Sequence, residues 1–144
     1  MEVLFSLVNA AVLPAWALLL FAPNAKLTDR LVHSMAYPFF LGLIYFFGLI
    51  STVFFGFGAE GSGFTSIAQV RQIFASDMGL IVGWTHFLVF DLFVGAWEAR
   101  DAKTHNIRHI YMLPCLILTF MFGPVGLMLY LIIRRGQAKK SAIA

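Results

Sequence analysis

The sequence predicts an all-α integral membrane protein: a four-helix bundle with a short amphipathic interfacial helix between the second and third spans. Three observations carry that prediction. Hydrophobic residues make up 60% and charged residues 12% of the 144-residue chain, against about 45–50% and 25% in soluble domains. Mean hydropathy is +0.86. Four apolar runs recur along the chain, each near the ~20 residues that cross a ~30 Å hydrocarbon core at ~1.5 Å per residue. Residues 3–134 therefore read as a single four-span membrane domain, and residues 135–144 as a basic, disordered tail.

Composition also narrows the partners. The formal net charge is +3, and the basic residues lie at the ends of the apolar runs, where anionic headgroups account for them. A nucleic-acid partner would need a basic face with stacking aromatics in a soluble module, and the sequence offers neither. Membrane lipids and a lipophilic small molecule are the expected partners, with self-association left open. Cys115 is the one cysteine, so no intrachain disulfide forms and a packed thiol is expected. The chain opens Met-Glu with no basic n-region, so no cleavable leader is expected.

The first span covers residues 3–22. Pro14 removes a backbone donor and is expected to kink it. Asn9 either bonds a neighbouring helix or lines a site. Pro23 and Asn24 then open a charged loop containing Lys26, Asp29, Arg30 and His33, with Thr28 as cap of a short helical turn. The second span, 37–57, carries Tyr37 and Tyr45 with Phe39, Phe40, Phe46, Phe47, Phe54 and Phe55. That aromatic density is either packing or the wall of a slot for a long apolar ligand.

A glycine-rich loop follows. From Thr65 onward Ile67, Val70, Ile73 and Phe74 recur at helical spacing beside Gln69, Arg71 and Gln72, which predicts the interfacial helix. The third span, 78–97, is the unusual one. It carries His86 and Asp91 within apolar sequence, and Glu98, Arg100 and Asp101 where it leaves. A carboxylate in hydrocarbon costs about 2.5–3.5 kcal/mol on insertion scales, so it needs a partner or a wet cavity and marks a candidate site. At 100° per residue His86, Phe93 and Trp97 share a stripe, whereas Asp91 lies about 140° from His86, beside Trp84. A direct in-helix pair of His86 with Asp91 is not expected. Glu98 shares the face of Asp91 about 10 Å further on, as along a hydrated path. His105 and His109 stand at i, i+4, but the catalytic Glu of a zincin motif is absent, and no metal or cofactor is assigned.

The fourth span, 110–133, is broken by Pro114 and by Gly123-Pro124. Four spans would place both termini on one face. Lysines and arginines then divide five against five and orientation is undecided. Asn24, Asp101, Arg108 and His109 would share the opposite face as a polar mouth, with Asp91 and His86 deeper. Asp91 has a purely structural alternative, a bond to Asn9 or to a carbonyl freed by Pro14 or Pro114.

Several short stretches taken together resemble a known family: Leu13-Pro14, Ala22-Pro23-Asn24-Ala25, Leu27-Thr28, Leu41-Gly42, Ile67-Ala68, Phe74-Ala75-Ser76-Asp77-Met78, Trp84-Thr85-His86, Asp91-Leu92-Phe93, Arg108-His109 and Pro124-Val125-Gly126. In this order the chain resembles the neoxanthin-synthase-like, abscisic-acid-deficient-four-like membrane proteins of plant plastids and bacteria, from about residue 13 to 126. The absence of a transit peptide suits a bacterial member, in an inner membrane, or in a thylakoid or plastid envelope if the source is photosynthetic. The resemblance implies chemistry on a carotenoid or other isoprenoid, by opening an epoxide to an allenic alcohol. That reaction needs an acid at the epoxide oxygen and a base at carbon. On this reading His86, Asp91, Asp101 and His109 are the candidate catalytic residues, and Asn24, Tyr45, Trp84 and Arg108 the candidate substrate contacts. Glu98 and His105 lie outside the family's pattern. Two other functions use the same residues: a non-catalytic binder or assembly factor for pigment proteins, and a haem bundle ligated by His86 and His109.

Overall fold

Apolar runs of this length have one way to satisfy their backbone in lipid, which is to bond every N–H to a carbonyl within the same segment. The computed structural model accordingly is all-helical among the described residues, apart from the connecting loops; it describes the backbone of residues 1–143 and side chains through residue 137. The helices are α1 (Glu2–Phe21), α2 (Lys26–Thr28) running into a π-helical turn (Asp29–His33), α3 (Ala36–Phe54), α4 (Ile67–Ile73), α5 (Asp77–Thr104), α6 (His109–Phe122) and α7 (Pro124–Ile143). Among the described residues, three stretches are long and apolar enough to cross a membrane: Glu2–Phe21, Lys26–Phe54 and Asp77–Thr104.

The chain divides into two compact units. The first comprises residues 1–12 and 39–89, the second 13–38 and 90–144. In the first, Val8, Val12, Leu41, Ile81, Val82 and Leu88 are buried. Gly48 lets α3 and α5 approach, since a Cβ there would stand 2.9 Å from Val82 Cγ2. On the outside Phe39, Phe40, Phe46 and Phe47 of α3 are exposed. An apolar face of that extent matches a lipid solvent rather than water. The interfacial helix forms as α4, shorter than its pattern suggested. Ser66 caps it by accepting from the Gln69 backbone N–H at 3.2 Å.

In the second unit the buried face of α5 is Leu92, Gly95, Ala96, Ala99 and Ala102. These residues repeat every three or four positions, and most are small. Small residues let helices approach closely where no hydrophobic effect drives them together. Trp16 of α1 fills the space at Gly95, where a Cβ would meet its ring at 2.6 Å. The loop after α1 closes differently from expectation. Thr28 is fully buried, and its hydroxyl donates back to the Ala22 carbonyl at 2.5 Å instead of capping the helix that follows. Met35 ends the turn in the left-handed region, at φ 66°.

Two boundaries differ from the sequence reading in ways that move the site. Helix α5 runs 28 residues, to Thr104, so Glu98, Arg100 and Asp101 are helical rather than part of a link. The fourth span is not continuous. It is two helices folded back on one another at Gly123, which adopts φ 36°. Pro124 can begin a helix but cannot continue one. A Cβ on Gly126 would stand 2.6 Å from the Cys115 carbonyl and would collide with Thr119 N and Oγ1. In one straight helix Cys115 and Gly126 would be about 16 Å apart. The expected basic tail is helical in backbone as far as Ile143, and beyond residue 137 its side chains lie outside the described residues.

Candidate functional site

Helices α1, α3 and α5 of the first unit enclose a groove of about 400 Å³, walled by Val8, Ile44, Tyr45, Gly48, Val82 and Thr85. That is within the ~300–1,000 Å³ of ordinary small-molecule sites. The His86 imidazole tilts against the Tyr45 ring, ring centres 5.5 Å apart at 54°. His86 itself is exposed. Trp84, an expected substrate contact, also packs within the unit. Its indole N–H donates to Asn9 Oδ1 at 2.9 Å, and the Asn9 amide donates to the Phe5 carbonyl at 2.8 Å. Phe5 packs on the Trp84 ring at 6.1 Å. Asn9 and Trp84 thus fasten α1 to α5, which is the packing reading of Asn9.

The second unit holds the carboxylates. Asp91 faces the break between α6 and α7: a Cβ on Gly123 would stand 2.5 Å from its Oδ1. Glycine at that position therefore leaves room for a carboxylate as well as for the turn. Glu98 is 0% exposed. Thr119 Oγ1 lies 3.1 Å from each of its oxygens, so a single hydroxyl proton is shared between two acceptors in a desolvated pocket. Asp101 is the most connected group. Its Oδ2 accepts from the Tyr130 hydroxyl, pairs with Arg134 Nε at 2.7 Å and lies 3.4 Å from His105 Nδ1. Tyr130 is 0% exposed and packs edge-on against Trp97 at 5.6 Å.

The residues expected at a polar mouth all belong to the second unit but have different surroundings. His109 opens α6, and its Nε2 meets the Leu20 carbonyl at 2.9 Å, which serves the C-terminal end of α1, where carbonyls lack helical partners. Arg108 is the exposed residue before α6, and Asn24 is exposed in the turn after α1. Asp101 turns towards α7. The i, i+4 spacing of His105 and His109 is not helical, because α5 ends at Thr104 and α6 begins at His109. The His105 ring instead meets the Asp101 carbonyl at 2.8 Å.

Thr119, Tyr130 and Arg134 are the partners that sequence reasoning missed. In a continuous fourth span Thr119 and Arg134 are about 22 Å apart, so nothing pointed both at one end of α5. The available signal was the Phe-Gly-Pro-Val-Gly break, which reads equally as a kink or as a fold-back.

Comparison with known proteins places this arrangement. No solved structure matches the chain. The protein named ABA DEFICIENT 4, chloroplastic, of Arabidopsis thaliana is 30% identical over 130 residues, covering 85% of this chain. The chain spans 56% of that relative's length. The relative is a plastid protein, so it lends no support to the expected bacterial inner membrane. A family profile described as ABA DEFICIENT 4-like matches residues 3–130, a stretch that takes in both units, the groove and every carboxylate discussed above, and the chain accordingly belongs to that family.

Proposed function

We propose that the protein takes up a carotenoid or related apolar isoprenoid within a membrane and isomerises it by opening an epoxide. The observation that carries this reading is the groove of the first unit, apolar along its walls, with a titratable imidazole against the tyrosine that lines it. Family membership supports the substrate class. In the reaction an acid delivers a proton to the epoxide oxygen as the C–O bond breaks, and a base removes a proton from carbon. The product has the mass of the substrate, and no oxidant is needed. His86 is the proposed proton-transfer group at the groove, with Tyr45 and Trp84 as apolar contacts. Asp91, Asp101 and His109 are proposed for acid, base or orienting roles, and Asn24 and Arg108 for holding a polar end group.

The test is turnover of an epoxycarotenoid by the full chain in lipid nanodiscs, read as an isomer of unchanged mass. Removing a general acid or base costs typically 10²–10⁴-fold. His86→Ala should therefore lose at least about 100-fold, and single Asp91→Asn, Asp101→Asn and His109→Ala variants apportion the other roles. A wild-type rate retained in His86→Ala would remove it from the chemistry. A second reading, a non-catalytic pigment binder, is favoured by Glu98 and Asp101 being engaged by Thr119, Tyr130 and Arg134. Pigment that copurifies in stoichiometric amount without turnover would establish that reading instead.

A further inference from the structure

The links that join α1 to α3, α3 to α5 and α5 to α6 all carry charge, but residues 110–133 contain none. The turn between α6 and α7 lies in the middle of that run. Its flanking Met121, Phe122 and Val125 are exposed, so the tip is an apolar surface. Helix α6 has 14 residues, which at ~1.5 Å each reach about 21 Å, short of a ~30 Å hydrocarbon core. The turn leaves little backbone unpaired. Gly123 N–H donates to the Thr119 carbonyl at 2.9 Å, and Leu127 N–H to the Gly123 carbonyl at 3.2 Å. Pairing these groups within the hairpin meets the demand that lipid makes on backbone at membrane depth.

The returning helix comes back to the end from which α6 departed. Glu98 meets Thr119 near the far end of α6, while Asp101, one turn along α5, meets Tyr130 and Arg134 of α7. The same end of the unit holds the α1–α3 connection, through His109 on the Leu20 carbonyl and Arg100 on the His33 carbonyl, both at 2.9 Å. Lys26 and Arg30 lie in that connection, Arg100, Lys103 and Arg108 at the α5–α6 corner, and Arg134 and Arg135 on α7. Lys139 and Lys140 follow in sequence. Arg71 stands apart: it lies in α4, after the 19 residues of α3 and before the 28 of α5. With three crossings, by α1, α3 and α5, the five-against-five division would become nine against one.

We propose that α6 and α7 form a re-entrant hairpin, that the chain crosses its membrane three times, and that its basic end rests against the anionic headgroups of the cytoplasm-facing leaflet (stroma-facing in a plastid). Such an imbalance of lysine and arginine sets orientation in membrane proteins, and each basic residue near an anionic surface adds about 1 kcal/mol. The N-terminus then faces the opposite side. This rests on the membrane reading above.

The test uses the full chain in bacterial cells, with an uncharged epitope at either end and protease added to spheroplasts. The N-terminal epitope should be lost and the C-terminal one retained until lysis. Both lost or both retained would overturn the three crossings, and the reverse pattern would overturn the leaflet assignment. A cysteine at the tip, Val125→Cys with Cys115→Ser, should resist an impermeant maleimide from either side. Labelling from outside would mean that the hairpin passes right through the membrane, and the re-entrant proposal would fall. Carbonate washing separates the two levels: a chain released by it is not integral, and the membrane reading itself fails.

Discussion

Replacing Gly126 by alanine should open the α6–α7 hairpin. The added methyl would sit 2.6 Å from the Cys115 carbonyl oxygen and nearer still to Thr119 N and Oγ1. Two of those three atoms are backbone, so no rotamer relieves the contact and the helices must part by roughly 1 Å to regain van der Waals distance. Overpacking of this kind costs about 1–3 kcal/mol. The movement also draws Thr119 away from Glu98, and a buried acceptor left unmatched costs a further ~1–3 kcal/mol. The total, about 2–6 kcal/mol, is a large share of the ~5–15 kcal/mol typical of whole domains. The assay is reversible unfolding in mixed micelles, followed by tryptophan fluorescence. The control is Gly136→Ala on the same helix, where an added Cβ meets nothing within 4 Å. That exchange should be neutral or stabilising by up to about 1 kcal/mol, since alanine is the better helix former. If Gly126→Ala unfolds at the wild-type midpoint, the close approach of α6 and α7 is wrong.

Two more substitutions probe the same unit. Thr119→Val keeps shape but withdraws the hydroxyl shared by both Glu98 oxygens, and should cost about 1–3 kcal/mol, with Thr119→Ser near wild type in the same unfolding assay. Gly123→Ala should destabilise by at least about 1–3 kcal/mol, because an L-residue is forced to positive φ and its methyl meets Asp91 Oδ1. Asp91→Ala in that background should recover the side-chain part of the loss and not the backbone part, as a thermal scan in detergent would register.

Much of the architecture is legible in the sequence, for a definite reason. Hydropathy reports how long a segment can stay in lipid, so α1, α3 and the apolar part of α5 are readable directly. Direction is invisible to it. Residues 110–133 are equally apolar whether the chain goes on or turns round, and contacts made in the fold, Gly126 on Cys115 and Arg134 on Asp101, decide. The far end of α5 was hidden by its charges: Glu98, Arg100 and Asp101 look like an exit from the membrane but continue the helix against α6 and α7. At the site, His86 and Asp91 stand out because polar groups are rare in such surroundings. Their neighbours do not. Thr119 and Tyr130 are ordinary packing residues until a second helix brings a carboxylate to them, and the Trp84 N–H has no visible partner in the sequence until α1 brings Asn9 to it.

The Arg100 guanidinium holds the His33 carbonyl and touches the Met35 sulfur at 3.9 Å. The corner leading into α3 is thus clasped by a side chain that follows it by 67 positions in the chain. At ~5–20 residues per second, a ribosome needs about 3–13 s to add that much chain. For that interval the left-handed Met35 has no clasp, and the joint between the first two apolar helices is unset. Assembly therefore has an order: the corner is finished only when the last turns of α5 arrive.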